Sequence, residues 1–552
     1  MKIAISDIHC HPALRLYNGN KNIWDGDTPD DSKRKSPFPK FSEAEFIALA
    51  NSRVRLVFVS LYPVEQGFIT NLAHHADIAT KEPLINEILN ETISFIVKKF
   101  SKNGTVIDFL EKTAARWLSS MTGERFKQIS SAQHDYYNDM KEELHYLEKG
   151  VEQISPITEN GKRFTLKIVS NYNQLQKELE IDDNFNYTSE NDNTIALVLT
   201  VEGGHSLGIG QKNTEHITIA QLNELNNDGS FINPEVQKLY NNIHNNILDM
   251  KNNWGNNGSH CPFFLTFAHH FYNQLCGHNM SFPGIAHSVF DQTTGMNTPI
   301  TELGKKIIKE LLSVENGRRI LIDTKHMSAE TKKWYYNYVG EYNKTSNSPI
   351  PIISSHSAVS GNKFIAEQNS NNHNTMDEDY EKCSKTFNIW DINLSDEEII
   401  IIHESEGLIG LNLDQRILSG KKMLDVIKKY SYEESPKIIY QSVWAEPVLQ
   451  NILHIVEVVI NSNNKNKKYV WDMITIGSDY DGIINPLDAF CYAEDLENLR
   501  NILIQKLELQ IAWNPLLSGQ KATDIIDAVM FKNSVKFLKK HFNYTYNNNQ
   551  IV

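Results

Sequence analysis

The chain has 552 residues, 40% of them apolar and 22% charged, with a formal net charge of −14. This is the composition of a folded protein with a large core, and it excludes a disordered or collagen-like chain. The acidic balance speaks against a broad nucleic-acid or anionic-membrane surface, so neither partner is expected.

In chain order, short apolar, β-branched runs recur at 2–6, 54–60, 194–200, 263–266, 319–322, 350–354, 408–412 and 473–477. Near-continuous apolar runs are those of strands buried on both faces, as in a parallel sheet. Helical periodicity separates them. Ser42 and Glu45 stand at capping-box spacing. Thr298-Pro299 offers a helix start with proline in the first turn, followed by Leu303, Ile307, Leu311 and Leu312 on one face. Eight strands alternating with helices predict an α/β fold, a (β/α)8 TIM barrel with large insertions, as a single unit over 1–542. A wide gap between the second and third strands predicts an insertion over 63–190, with a long helix at 131–153 and an extra strand at 164–169. A second insertion loop is expected at 363–386. Polar, Asn-rich stretches at 18–36, 369–379 and 461–467 read as surface loops, and 543–552 as a flexible tail.

No apolar run approaches about 18 residues, so no transmembrane helix is expected. The opening MKIAISDIHCHP lacks the apolar core of a secretory leader. Cys10, Cys261, Cys276, Cys383 and Cys491 are scattered without metal-site spacing. They suit a reducing compartment, and a cytoplasmic location is expected. Any self-association is expected to give a homodimer.

Five short segments sit at or just beyond predicted strand ends, where barrel enzymes place their chemistry. His9 and His11 flank Cys10, and in extended backbone they point to one side, toward one metal. Glu202 precedes Gly203 and Gly204, and a carboxylate can join two cations where a histidine cannot. His326 and His356 each follow an apolar strand, and imidazole is a common ligand of zinc and similar ions. Asp479, in Gly477-Ser478-Asp479-Tyr480-Asp481-Gly482, suits a proton shuttle or a ligand. Each segment alone has a bland alternative: a surface histidine or a solvated turn. Together they converge on one rim and predict a metal site.

These motifs resemble the membrane (renal) dipeptidase family of the amidohydrolase superfamily. The resemblance runs in order through VEGGHS, LTFAHHFYN, LIDTKHMS, PIISSHS, NLSDEE, GLIGLN, GSDYDG and FKNSVKFL. It implies two divalent metal ions, zinc by default, bridged by a glutamate and a hydroxide that attacks an amide of a small peptide. Carried across, Glu202 looks like the bridge, with His9 and the residue two later serving the first metal and His326 and His356 the second. Asp479 looks like the active-site aspartate and His269 like the substrate-contacting histidine. Asp7 and His205 are expected behind the ligands, orienting them. Tyr480 is an expected substrate contact.

Two departures stand out. The family has His-x-Asp where this chain has His9-x-His11, which removes one negative charge from the site. The family's arginine for the dipeptide carboxylate is replaced by Ile392, directly before Asn393-Leu394-Ser395-Asp396. Arg416 is the candidate substitute, and the competing expectation is that it pairs with Asp414. The expected function is therefore hydrolysis of a dipeptide-like amide. The alternatives are a lactam, lactone or N-acyl amino acid substrate, or a non-catalytic metal-binding barrel that docks a protein.

Overall fold

The computed structural model describes residues 2–26, 43–69, 121–210, 214–282, 290–369, 386–432, 434–464, 466–543, 546–547 and 550–551. Ser42, Cys383, most of the 18–36 and 369–379 loops and much of both insertions lie outside these residues.

All eight expected strands form, and so does the extra one. They are β1 (Ile5–Cys10), β2 (Val54–Leu61), β3 (Thr165–Ile168), β4 (Thr194–Glu202), β5 (Phe264–Thr266), β6 (Leu321–Asp323), β7 (Ile353–Ser357), β8 (Leu408–Leu411) and β9 (Ile474–Ile476). Pairing runs β1-β2-β4-β5-β6-β7-β8-β9, parallel throughout. Backbone bonds from His11 N to Tyr480 O (2.9 Å) and from Asp479 N to His9 O (2.9 Å) close the ring between first and last strands. This is the (β/α)8 barrel. Its β1 and β2 are buried at every position, as a strand walled by helices outside and side chains inside must be.

The extra strand β3 pairs with the first residues of β4, Thr194 to Leu197. Above it on the same edge, Phe263 N reaches Leu199 O (2.8 Å) and β5 takes over at Val201 and Glu202. The nine-residue β4 is long enough to serve both.

Several strands extend further toward their C-terminal ends than their apolar runs imply. β1 includes His9, β4 includes Glu202 and β7 includes His356. The apolar pattern marks the middle of the barrel, whereas its top layer is polar. The helix expected at Thr298-Pro299 begins later, as Glu302–Leu312. Thr301 is its cap, accepting Gly304 N at 3.0 Å, while Thr298 O instead receives the Ser328 hydroxyl. Leu303, Ile307, Leu311 and Leu312 are buried as expected. The helix over 131–153 is Tyr136–Gly150, started by Asp135, whose carboxylate accepts Tyr137 N and Asn138 N. Glu45 precedes the helix Phe46–Asn51 without a side-chain capping bond. In the tail, β10 (Tyr546–Asn547) and β11 (Gln550–Ile551) pair antiparallel. Among the described residues one helical stretch, Lys437–Asn461, has the length and composition of a membrane span, and 61% of its most apolar window is buried inside the molecule.

Candidate metal centre

Pairing brings the ends of the barrel strands to one level: Glu202 faces Thr266, and Thr266 faces Asp323. His9 near the end of β1 and His11 just beyond it both turn toward Glu202, and Cys10 is buried between them. The Nε2 of His9 lies 3.2 Å from one Glu202 oxygen and that of His11 lies 3.0 Å from the other. His356 comes from β7, stacked on His9 at 3.9 Å between ring centroids. His326 follows β6 in a left-handed conformation (φ 64°), which brings its Nε2 within 3.2 Å of His356 Nε2. Its Nε2 and those of His356 and His269 lie 3.9, 3.6 and 3.5 Å from Glu202 Oε1. Five imidazoles therefore surround one carboxylate.

The glycines after Glu202 make this approach feasible. Gly203 has φ +89°, and a Cβ there would sit 2.2 Å from the His205 ring; one on Gly204 would sit 2.5 Å from Phe267 O. Any side chain would push the loop off the rim.

A polar layer lies behind two of the ligands. His9 Nδ1 meets Ser60 Oγ at 3.0 Å, and His356 Nδ1 meets Ser355 Oγ at 2.8 Å. Ser355 in turn donates to Asp323 Oδ2 (2.6 Å), which also receives the Thr266 hydroxyl (2.6 Å). With Nδ1 engaged, Nε2 is the atom turned inward.

Asp479 is also left-handed (φ 63°), and Gly482 makes room for it: a Cβ there would lie 2.3 Å from Asp479 Oδ1. That oxygen is 3.6 Å from His11 Nε2 and 3.8 Å from His9 Nε2. Its side chain is 14% exposed, the most open of this group. Asp481 is committed elsewhere, accepting Glu43 N and Ala44 N at 3.1 and 2.8 Å.

The electrostatics divide the ring. Burial opposes ionisation of Glu202, but His269, His9 and His11 outweigh it and hold the carboxyl well below its usual range. His11 is pushed up to about 10 because Glu202 and Asp479 outweigh burial. His326 and His356 sit well below the usual imidazole range, through burial and neighbouring imidazoles. An ionised carboxylate and neutral imidazoles are the forms that bind cations.

The donor set fits a metal. His9 Nε2 and Glu202 Oε1 are buried without a hydrogen-bond partner among the described residues, a costly state unless something satisfies them. Three overlapping groups have donor atoms within 4.8 Å of one another: His9, His11 and Asp479; His9, Glu202 and His356; Glu202, His269 and His326. Tetrahedral zinc with bonds of about 2.1 Å separates its ligands by about 3.4 Å, close to the spacings seen here. The groups cut across the simple division expected from sequence. His9 stands with His356 as well as with His11, and His269 stands with His326.

Three expected site residues are placed otherwise, and a fourth, Asp7, holds a ligand residue only through its backbone. Asp7 touches no ligand side chain; its carboxylate accepts Ser478 N (3.0 Å), His9 N (3.1 Å) and the Ser478 hydroxyl, clamping the seam beneath Asp479. Burial raises it to about 6. His205 gives its Nε2 to Pro63 O (2.8 Å), not to a ligand. Tyr480 is buried, with its hydroxyl donated to Phe490 O at 2.6 Å, and does not line the cavity. Arg416 bonds Asp414 through Nε at 3.0 Å to both oxygens, and through its terminal nitrogen, so the competing expectation for it holds. Asp479 and His269 do reach the cavity. It encloses about 320 Å³ including its open mouth, and Leu14, Tyr62, His270 and Ile483 complete its wall.

Sequence reasoning missed Glu65, which binds His269 Nδ1 at 2.6 Å, and the Asp323–Ser355 pair. Asp323 lay inside the quoted LIDTKHMS segment, so its place at a strand end was a usable signal. Glu65 gave none.

Fold and site together define a barrel with a buried, carboxylate-centred ring of histidines. No family model and no curated protein matches the chain. Among solved structures it is similar to a dipeptidase AC described as a metallopeptidase of family M19. That match has 11% identity over 98% of this chain and 99% of the other, with a TM-score of 0.45. It is also similar to a metallopeptidase from Rhodobacter sphaeroides liganded with a phosphinate mimic of the dipeptide L-Ala-D-Ala (12%, 98% and 100%, TM-score 0.46). A third is the probable dipeptidase PvdM from Pseudomonas aeruginosa (12%, 98% and 95%, TM-score 0.45). The chemistry of this chain rests on its own side chains.

Proposed function

We propose that this chain is a metal-dependent hydrolase of the amidohydrolase type, cleaving an amide bond in a small, dipeptide-like substrate. One observation carries the reading: five histidine Nε2 atoms converge on the Glu202 carboxylate at the barrel mouth, 3.0 to 3.9 Å away. His9 and His11 would hold one divalent ion and His326 and His356 a second, with Glu202 between them. Nitrogen-rich donors favour zinc. When bound, such ions supply a water acidic enough to ionise near neutral pH and polarise a carbonyl.

The remaining work belongs to the protein. Asp479, open to the cavity and beside His9 and His11, accepts the attacking water's proton and returns it to the leaving nitrogen. His269 turns Nε2 toward Glu202 and the cavity, where it meets the charge developing on the carbonyl oxygen. Burial opposes protonation of His269, but Glu202 and Glu65 outweigh it and raise it above its usual value. Leu14 and Ile483 give the mouth apolar walls for the substrate's side chains.

A second reading, an uncharged substrate such as a lactam or lactone, is favoured by one finding. Arg416 is committed to Asp414, and Ile392 is buried in the core. Elemental analysis combined with a screen of dipeptides, N-acyl amino acids, lactams and lactones tests both. About two divalent ions per chain with dipeptide turnover supports the first, and turnover of neutral substrates alone supports the second. Metal-loaded protein that hydrolyses none of them sinks the hydrolase proposal.

A further inference from the structure

Glu65 lies four residues beyond β2 and is 3% exposed. Its two oxygens collect three donors from two different strand ends. Oε2 takes His269 Nδ1 at 2.6 Å and the Tyr62 hydroxyl at 3.0 Å, and Oε1 takes Phe271 N at 3.0 Å. His269 itself stands three residues beyond β5. Its ring is hemmed on several sides: Tyr62 edge-on at 4.8 Å between centroids, His270 at 3.8 Å and His326 at 4.8 Å. These packing contacts limit where the ring can lie, but they do not choose which nitrogen faces the cavity. A ring flip would exchange Nδ1 for carbon at nearly the same place.

We infer that Glu65 is the positioning residue for His269: it accepts the Nδ1–H hydrogen bond, locks the ring, and leaves Nε2 as the atom facing Glu202 and the substrate. Hydrogen-bonded acceptors behind a working imidazole fix tautomer and plane together. Here the acceptor is itself fixed by Tyr62 and by the backbone of residue 271, so it cannot swing away with the ring. Glu65 thus contributes to the site through the His269 ring, without itself lining the cavity. A purely structural Glu65 would be loop glue, joining residues 62–65 to 269–271, and its loss would loosen both loops without acting through the imidazole.

The kinetic part of the test rests on the hydrolase proposal, and the spectroscopic part does not. In the full chain labelled with ¹⁵N-histidine, one imidazole Nδ1–H resonance disappears in His269→Ala and so identifies His269. In Glu65→Gln that resonance is expected to lose its downfield position and its protection from exchange. With a hydrolysed substrate, Glu65→Gln is expected to lower kcat about 10–100-fold, with metal content unchanged and KM within about twofold. Placed on His269→Ala, the same substitution should cost nothing further. An unmoved resonance, or losses that multiply in the double variant, would overturn the inference. If Glu65→Gln does not fold, Glu65→Asp decides, its carboxylate one methylene short. A shifted resonance with lowered kcat and steady KM supports the role, and an unmoved resonance rejects it. Absence of any turnover in the wild type would count against the hydrolase proposal alone, and the resonance would still decide the role of Glu65.

Discussion

The two ends of the barrel handle buried charge in opposite ways. At the N-terminal floor two arginines are each paired with a carboxylate. Arg55, the second residue of β2, bonds Asp192 at 2.6 Å, and the Tyr187 hydroxyl joins the same oxygen at 2.9 Å. Arg500 bonds Asp527 at 2.7 Å. At the C-terminal mouth five imidazoles share a single central carboxylate, and donor atoms are left unpartnered. Both ends are made from strand termini of the same sheet. Paired charges at the floor hold the fold together, whereas a mouth where several imidazoles share one carboxylate is prepared for something to be added. This is the division of labour expected of such barrels.

The comparison can be broken most sharply at Glu202. Glu202→Ala should lose at least one of the two expected divalent ions, with turnover down by more than about 10³-fold. Full metal occupancy by elemental analysis would remove the carboxylate from the centre. Asp479→Asn should keep the metals and lower kcat by about 10²–10⁴-fold. Lost metal instead would make Asp479 a ligand, consistent with its grouping beside His9 and His11.

The floor should respond in stability alone. Arg55→Met leaves Asp192 without its main partner and is expected to cost about 3 kcal/mol in denaturant unfolding, with metal content unchanged. Burial opposes ionisation of Asp192, but Arg55 outweighs it and holds the carboxyl below its usual value. A carboxyl with a lowered folded value adds stability above its unfolded value, near pH 4, and loses it as the pH falls through the folded one. Acid unfolding curves should therefore be flatter below pH 4 in Arg55→Met than in the wild type. A metal loss in this variant would mean that the two ends are coupled.

At the mouth, the smallest change in activity is expected for Arg416→Met. Its guanidinium belongs to Asp414, so the KM ratio between a carboxylate substrate and its amide should stay within about twofold, while stability falls by about 1–3 kcal/mol. A tenfold rise confined to the acid would restore Arg416 as a substrate anchor.

Much of this was legible in the sequence, for identifiable reasons. Strands buried on both faces write themselves as apolar runs, and two-residue alternation aimed His9 and His11 correctly. What failed did so where alternation stops. Asp479 and Asp481 are both left-handed (φ 63° and 59°), so the direction of Tyr480 between them cannot be counted from β9. Tyr480 turns into the core as a result. Arg416 could be placed near the rim by its position after β8, but position does not reveal that Asp414, two residues back, would capture it. Thr298-Pro299 looked like a helix start, but the start is set by the threonine whose hydroxyl reaches the backbone, and that is Thr301. Glu65 sits in an aperiodic loop, and its partner lies 204 residues away in the chain, a separation that no local pattern encodes.

The pairing of β3 beneath β5 on one edge of β4 has a consequence for anyone trimming this molecule. Among the described residues the inserted segment is anchored to the barrel at both ends: through β3 at the floor, and through the helix Tyr136–Gly150 at the mouth, where Glu143 accepts Tyr62 N at 2.8 Å. It spans the height of the wall like a buttress bolted at top and bottom. Excising 121–190 would bare the lower edge of a central strand and leave a row of amides free to pair with another chain. A shortened version of this protein is thus expected to aggregate, whereas a single cut at Glu159–Asn160, in the exposed turn before β3, should leave both anchors seated and the barrel intact.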